Sequence, residues 1–173
     1  RRHIPIVAVQ PVSEEAATWV DVVHVDFKSA YKQVFEHLMQ LGHRNIAYLS
    51  VMENPNPSDK RKDEGWNLAG RELNLCLDYR IPWNLAKSGS VPLGDESSGE
   101  NDFLYQADSR ESMAKVVEAL KGFPVPVTAL ICASDEVAIG VQSYLQSHGW
   151  QLPRDLSIVG YDGISLGEQV YPS

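Results

Sequence analysis

Residues 127–161 read VTALICASDEVAIGVQSYLQSHGWQLPRDLSIVGY. An apolar run from Val127 to Ala133 stops at the polar pair Ser134-Asp135. A helical pattern follows from Glu136 to Gln146 and ends at His148-Gly149, with Pro153 just beyond. A second apolar run, Leu156 to Tyr161, closes the stretch. Strand, helix, short Gly/Pro turn and strand make a βαβ crossover, which implies parallel pairing and a right-handed connection. Within the helix, Val141 and Leu145 fit a sheet-facing stripe, which leaves Ile139 for another surface.

Three more stretches upstream read as strands: Ile4 to Val9, Val20 to Val25 and Asn45 to Val51. None of the five alternates cleanly between apolar and polar. Near-continuous apolar runs suit strands covered on both faces, so an α/β fold built on a parallel sheet is expected. Helical patterns lie between them. Ser29 to Leu41 places Val34, Leu38 and Leu41 on one stripe, with Tyr31 and Phe35 beside it, and stops at Gly42, a residue suited to the left-handed position after a helix end. His43 is expected to sit on the negative end of that helix dipole, and His37 on the helix surface. Asp63 to Leu75 is a second helix, with Trp66, Ala69 and Leu73 on one side. Ser109 to Leu120 is a third, with Met113, Val116, Val117 and Leu120 at helical spacing and Asp108 and Glu111 forming a capping box. Leu85 to Ala107, rich in Gly, Ser and acidic residues, is expected to be a loop or insertion.

The chain has 173 residues, 43% of them hydrophobic and 22% charged, the balance of an ordinary globular protein. Its 15 Lys and Arg against 23 Asp and Glu give a net charge of -8, which argues against a nucleic-acid-binding surface in this stretch. No apolar run approaches the roughly 18 residues of a membrane span. Two cysteines, Cys76 and Cys132, are too few for a disulfide scaffold and fit reduced thiols in a reducing compartment, the cytoplasm. The chain opens Arg1-Arg2-His3-Ile4 and closes Tyr171-Pro172-Ser173. Both ends are expected to be cuts through a longer protein.

In open parallel sheets, ligands bind beyond the carboxyl ends of the strands. There the sequence places Asp26-Phe27, then Ser50 with a polar loop leading to Lys60-Arg61-Lys62, then Ser134-Asp135, then Asp162-Gly163. Carboxylates, cations and an aromatic ring at one edge suit a polyhydroxylated small molecule. Each residue also has a plainer role open to it. Asp26 and Asp162 could bond backbone N–H groups in turns. Ser134 and Asp135 stand where a helix cap belongs. Phe27 could cover the core as well as stack on a ligand. Phosphate-loop, dinucleotide and nucleophile-elbow motifs are absent from the sequence, and its five histidines do not cluster, so neither a metal nor a cofactor is expected.

These residues carry a family likeness. His37-Leu38 followed by Leu41-Gly42-His43-Arg44-Asn45-Ile46-Ala47 resembles a signature of the lactose-repressor/galactose-repressor (LacI/GalR) transcription regulators. Ala133-Ser134-Asp135 with Ala138-Ile139-Gly140 is similar to that family's "ANDxxAxG". Gly149 through Pro153-Arg154-Asp155-Leu156-Ser157-Ile158-Val159-Gly160-Tyr161-Asp162 resembles its "GxxxPxDxSVxGxD" stretch, and Tyr171-Pro172-Ser173 the start of its "PPLTTV" tail. The pieces recur in order over nearly the whole chain.

The resemblance implies a Rossmann-like parallel sheet with helices on both faces, in the type I periplasmic-binding-protein-like fold of two lobes. Residues 1–25 would be the remnant of the N-terminal lobe. Residues 26–173 would be the C-terminal lobe, with 85–107 inserted. It further implies a helix-turn-helix headpiece outside this stretch that binds the DNA operator. A small-molecule effector, of carbohydrate type, would bind between the lobes. Family members are usually homodimers, which would place Ile139, Ser143 and Val170 at the interface. By position, Asp162 would contact effector hydroxyls, and Asp26-Phe27 would stand at the cleft mouth. The family's Asn falls on Ser134, a shorter side chain without the amide donor. Its Arg falls on Lys62, three residues before Gly65; Arg61 would substitute where the loop shifts register. Lys offers a point charge where Arg offers a planar fork, so the exchange is not conservative.

Three functions fit the sequence. The first is the sensing domain of a bacterial repressor, a binding protein and not an enzyme. The second is an exported solute-binding protein of the same fold. The third is a small α/β enzyme using Asp26 or Asp162 as acid or base.

Overall fold

A computed structural model describes residues 5–9, 18–50, 57–82 and 110–173. The expected insertion at 85–107 and the capping residue Asp108 lie outside them. The described residues form two compact units, one within 1–37 and 54–75, the other within 38–53 and 76–173. The elements in chain order are β1 (Val7–Val9), β2 (Asp21–Val23), α1 (Phe27–Gln40), β3 (Ile46–Ser50), α2 (Pro57–Glu72), β4 (Arg80–Pro82), α3 (Arg110–Gly122), β5 (Ala129–Cys132), α4 (Asp135–Ser147), β6 (Ser157–Val159) and a 3-10 turn at Ser165–Gln169.

In the first unit, β1 and β2 form a two-stranded parallel sheet, Ala8 opposite Val22. The packing there centres on Trp66 of α2, with its ring 4.6 Å from that of Phe35 and 6.1 Å, edge-on, from that of Tyr31. All three rings are buried. Aromatic groups of this size supply much apolar area for few residues.

In the second unit, four parallel strands run in the order β4-β3-β5-β6. The central strands β3 and β5 are buried at every residue, whereas edge strand β6 is half-buried throughout. That difference explains the near-continuous apolar runs at 46–50 and 129–132. The crossover expected at 127–161 is present: β5, α4 and β6, with Leu130 opposite Ile158 in a parallel ladder. The core holds Leu49, Leu130 and Leu156 together with Met113, Val116 and Leu120 of α3 and Val137, Val141 and Leu145 of α4.

The structure corrects several sequence expectations. α2 begins at Pro57 and not Asp63, so Lys60-Arg61-Lys62 are helical residues and not the end of a loop. A proline in the first helical turn costs no hydrogen bond, because its missing N–H would have no partner there. Strand β4 was not expected; its three residues end in Pro82, and a strand with proline is tolerated at a sheet edge, where β4 lies. Leu41 is 62% exposed and leaves the buried stripe of α1, which Tyr31, Phe35 and Leu38 form instead. The chain turns away at once: Gly42 has φ +96° and the His43 N–H donates to the Leu38 carbonyl, a left-handed helix end. The cation on that helix end is Arg44, which donates to the Met39 and His43 carbonyls at 2.9 and 2.8 Å. His43 is not that cation. Its Nδ1 lies 2.9 Å from the Thr128 hydroxyl, and burial lowers its pKa and favours the neutral ring.

Candidate functional site

In the second unit, the candidates lie past the carboxyl ends of β5 and β6, as the sheet rule requires. Ser134 is the N-cap of α4, with extended backbone and an Oγ that accepts the Val137 N–H at 3.4 Å. Its capping role is realised. Asp135 and Glu136 follow in the first turn, where negative charge meets the positive end of the helix dipole.

Asp162 is carried by a sharply turned loop. It adopts φ +105°, and Gly163 follows at +69°. Glycine takes such a conformation freely, whereas aspartate does so at a cost. The Asp135 N–H donates to the Tyr161 carbonyl at 2.8 Å, and an Asp135 carboxylate oxygen accepts the Ile164 N–H at 2.8 Å. Ser134, Asp135 and Asp162 therefore belong to one bonded neighbourhood. Asp162 is exposed. Tyr161 is half-buried, and burial, then the charge of Asp162, raise its phenol pKa, so it remains a proton donor.

In the first unit, Asp26 caps α1. Its two carboxylate oxygens accept from Ser29, one from the main-chain N–H at 3.0 Å and one from the hydroxyl at 2.6 Å. The Ser29 hydroxyl, then the Ser29 N–H, hold the Asp26 carboxyl below its ordinary pKa. The plainer role considered for Asp26 is thus present. Phe27 is only 5% exposed and covers the core, which leaves little ring open for stacking. Gly65 of α2 packs directly on Phe27 and Lys28. Lys62, one turn before Gly65 on α2, is half-buried. Arg61 is also half-buried on α2. A helix fixes the register, so Arg61 stays about 100° round the axis from Lys62 and does not take its place by a loop shift.

The sequence offers Asp135 as a helix cap or as one of the polar groups past the strand ends, and not as a tie to the loop after β6. Its carboxylate bond to a residue 29 positions later leaves no local pattern. The only clue was the glycine at 160 two places before Asp162, where a side chain would collide with the Asp135 carboxylate. Two hollows of about 470 and 500 Å³ lie elsewhere, one along α3 and α4 by Lys121, Tyr144 and His148, the other by Phe123, Val127 and Leu156. Neither contains a candidate contact residue. Among the described residues, no group of three or more His, Cys, Asp or Glu could hold a metal ion. No described helix is long and apolar enough to cross a membrane.

Residues 35–173 match the periplasmic binding protein-like domain. The chain is similar to the probable HTH-type transcriptional repressor ExuR of Bacillus subtilis (strain 168), 27% identical over 171 residues, covering 99% of this chain and 44% of ExuR. It is similar to catabolite control protein A of Priestia megaterium, 29% identical over 169 residues, covering 97% of this chain and 44% of that protein. Among solved structures, a LacI transcriptional regulator from Bacillus cereus subsp. cytotoxis NVH 391-98 superposes with a TM-score of 0.67 at 26% identity, over 97% of this chain and 51% of the other. The chain thus spans about half the length, or less, of the proteins it matches. The likeness to LacI/GalR regulators and the α/β binding-protein fold expected from the sequence are both borne out. These relatives are regulators rather than enzymes.

Proposed function

Because the chain belongs to the family of periplasmic binding protein-like domains, we propose that it is part of the effector-sensing region of a DNA-binding transcriptional repressor. The likeness to repressors supports this reading over an exported solute-binding protein. One observation carries the sensing role. Past the carboxyl end of β6, an aspartate is held in a strained left-handed conformation on an exposed loop fastened to the start of α4. Strained polar residues at a strand's carboxyl end are typical of ligand contacts.

In this reading, the Asp162 carboxylate accepts paired hydroxyl hydrogen bonds from a carbohydrate-like effector, and the Ser134 hydroxyl adds one donor beside it. Taken by itself, the first unit offers Asp26 and Lys62 as proposed polar contacts, with Phe27 as their apolar support. The effector favours one conformation of the protein through its difference in affinity for two states, and that shift alters operator binding by a headpiece outside this stretch. The protein acts in the cytoplasm as a homodimer. Ile139 and Val170, half-buried, and Ser143, exposed, lie on surfaces not used by the α4 core stripe and are the proposed dimer contacts.

The test is Asp162→Ala in the full-length protein. Operator binding, followed by fluorescence anisotropy, is expected to persist. Its response to a panel of monosaccharides and their phosphates is expected to disappear. A response equal to that of the unaltered protein removes Asp162 from the site.

A further inference from the structure

The N-terminus of α4 does something unusual with its first residue. A side-chain acceptor at a helix start ordinarily serves the free N–H groups of its own helix, as the Ser134 cap does here. Asp135 turns its carboxylate to the loop after β6, where it accepts the Ile164 N–H at 2.8 Å. Its main-chain N–H, one of the donors a helix start leaves without an intrahelical partner, goes to the Tyr161 carbonyl at 2.8 Å. The two bonds bracket Asp162 and Gly163, the two consecutive residues with positive φ in that loop.

Gly160 makes the arrangement possible. A Cβ there would fall inside the van der Waals surface of the Asp135 carboxylate and 3.1 Å from its Cα. A non-glycine residue at positive φ persists only where its surroundings over-determine it. A residue tied on both sides to one rigid helix start meets that condition.

We propose that Asp135 is the positioning residue for Asp162: by tethering Tyr161 and Ile164 it holds the intervening aspartate in its left-handed conformation and aims the carboxylate. The role rests on the reading of Asp162 as an effector contact. Asp135 itself acts through the loop and touches no effector. The pairing also gives the dipeptide Ser134-Asp135 a division of labour, with the serine capping α4 and the aspartate holding the loop.

The test reads the geometry of Asp162 directly in the full-length protein labelled with 13C and 15N at aspartate. Asp135→Ala is expected to move the HN–Hα coupling and Cα shift of Asp162 off their positive-φ values. Deuterium uptake at the Ile164 amide is expected to rise by about tenfold or more, the scale for losing a hydrogen bond to a charged group. Uptake at Leu130 in β5 is expected to stay unchanged. Asp135→Asn, whose side-chain oxygen accepts from the same N–H, is expected to restore most of the protection. Gly160→Ala displaces the carboxylate and is expected to reproduce Asp135→Ala, while adding little in the Asp135→Ala background. If Asp135→Ala loosens Leu130 as well, the same readouts on Gly160→Ala decide. Unchanged Asp162 coupling and Ile164 uptake in the variant that keeps Leu130 protected overturns the proposal. Asp162→Ala tests the effector contact separately. Loss of response there with unchanged Asp162 geometry here would defeat the positioning role alone.

Discussion

Gly65 of α2 lies so close to Phe27 that a Cβ built on it would sit 2.6 Å from the Phe27 Cβ and 2.7 Å from its carbonyl carbon. The neighbour is partly backbone and cannot rotate away. Gly65→Ala is therefore expected to destabilise the first unit by about 1–3 kcal/mol, the usual cost of overpacking, despite the better helix propensity of alanine. A lower urea midpoint with unchanged slope checks this.

Glu72 receives two lysines from α1, Lys28 at 2.7 Å and Lys32. Hydrogen bonds from Lys28, then Lys32, and their charges lower the Glu72 pKa from 4.5 to about 2. A depressed carboxylate pKa contributes stability that is present above about 4.5 and lost as pH falls through about 2. The cluster is solvent-exposed, so its effect is small and screened by salt. Glu72→Gln is expected to lower the thermal midpoint slightly at pH 7 and low salt. The difference from the unaltered protein is expected to shrink between pH 4.5 and 2, and at high salt.

The two thiols are expected to differ in reactivity. Cys132 is completely buried in β5, and burial, then the charge of Asp135, push its pKa far up. Cys76 is exposed and donates its S–H to Asp78 at 3.4 Å. Titration with a thiol reagent is expected to modify Cys76 in the native protein and both cysteines after denaturation. Rapid native labelling of Cys132 would contradict the packing of β5.

Gln142, on α4, is 9% exposed and donates to the Pro172 carbonyl at 2.7 Å, and Gln146 donates to the Tyr171 carbonyl at 2.6 Å. Replacing both with alanine is expected to free the segment around Val170 from α4. Gln142→Ala alone is expected to cost about 0.5–1.5 kcal/mol, the net worth of one hydrogen bond. Faster deuterium uptake and proteolysis at residues 168–173 in the double variant are the readouts.

The parallel sheet was legible because its signal is local and repeated. Ile46 to Ser50 and Ala129 to Cys132 are apolar at nearly every position, as central strands covered on both faces must be. Val141 and Leu145 fit the sheet-facing stripe in the sequence and lie in the core of the structure, since a 3.6-residue period is visible in any single helix. Two elements escape that local signal, for different reasons. Lys60, Arg61 and Lys62 looked like loop because they carry no apolar period, yet the helix runs through them to its start at Pro57. Arg80-Ile81-Pro82 is too short to announce a strand, and its pairing with Tyr48-Leu49-Ser50 makes it one.

Sequence alone determined which segments are apolar enough to be buried, the order in which strand and helix alternate, and which polar residues stand past the strand ends, because each depends on neighbours a few positions away. Only tertiary structure decided which capping residues do more than cap. Asp26 bonds within its own first turn, whereas Asp135 reaches Ile164. That distinction depends on two strands lying side by side, which brings 135 and 164 together, and on the missing side chain of Gly160 between them. No spacing rule records a contact whose partners meet only when the sheet has formed.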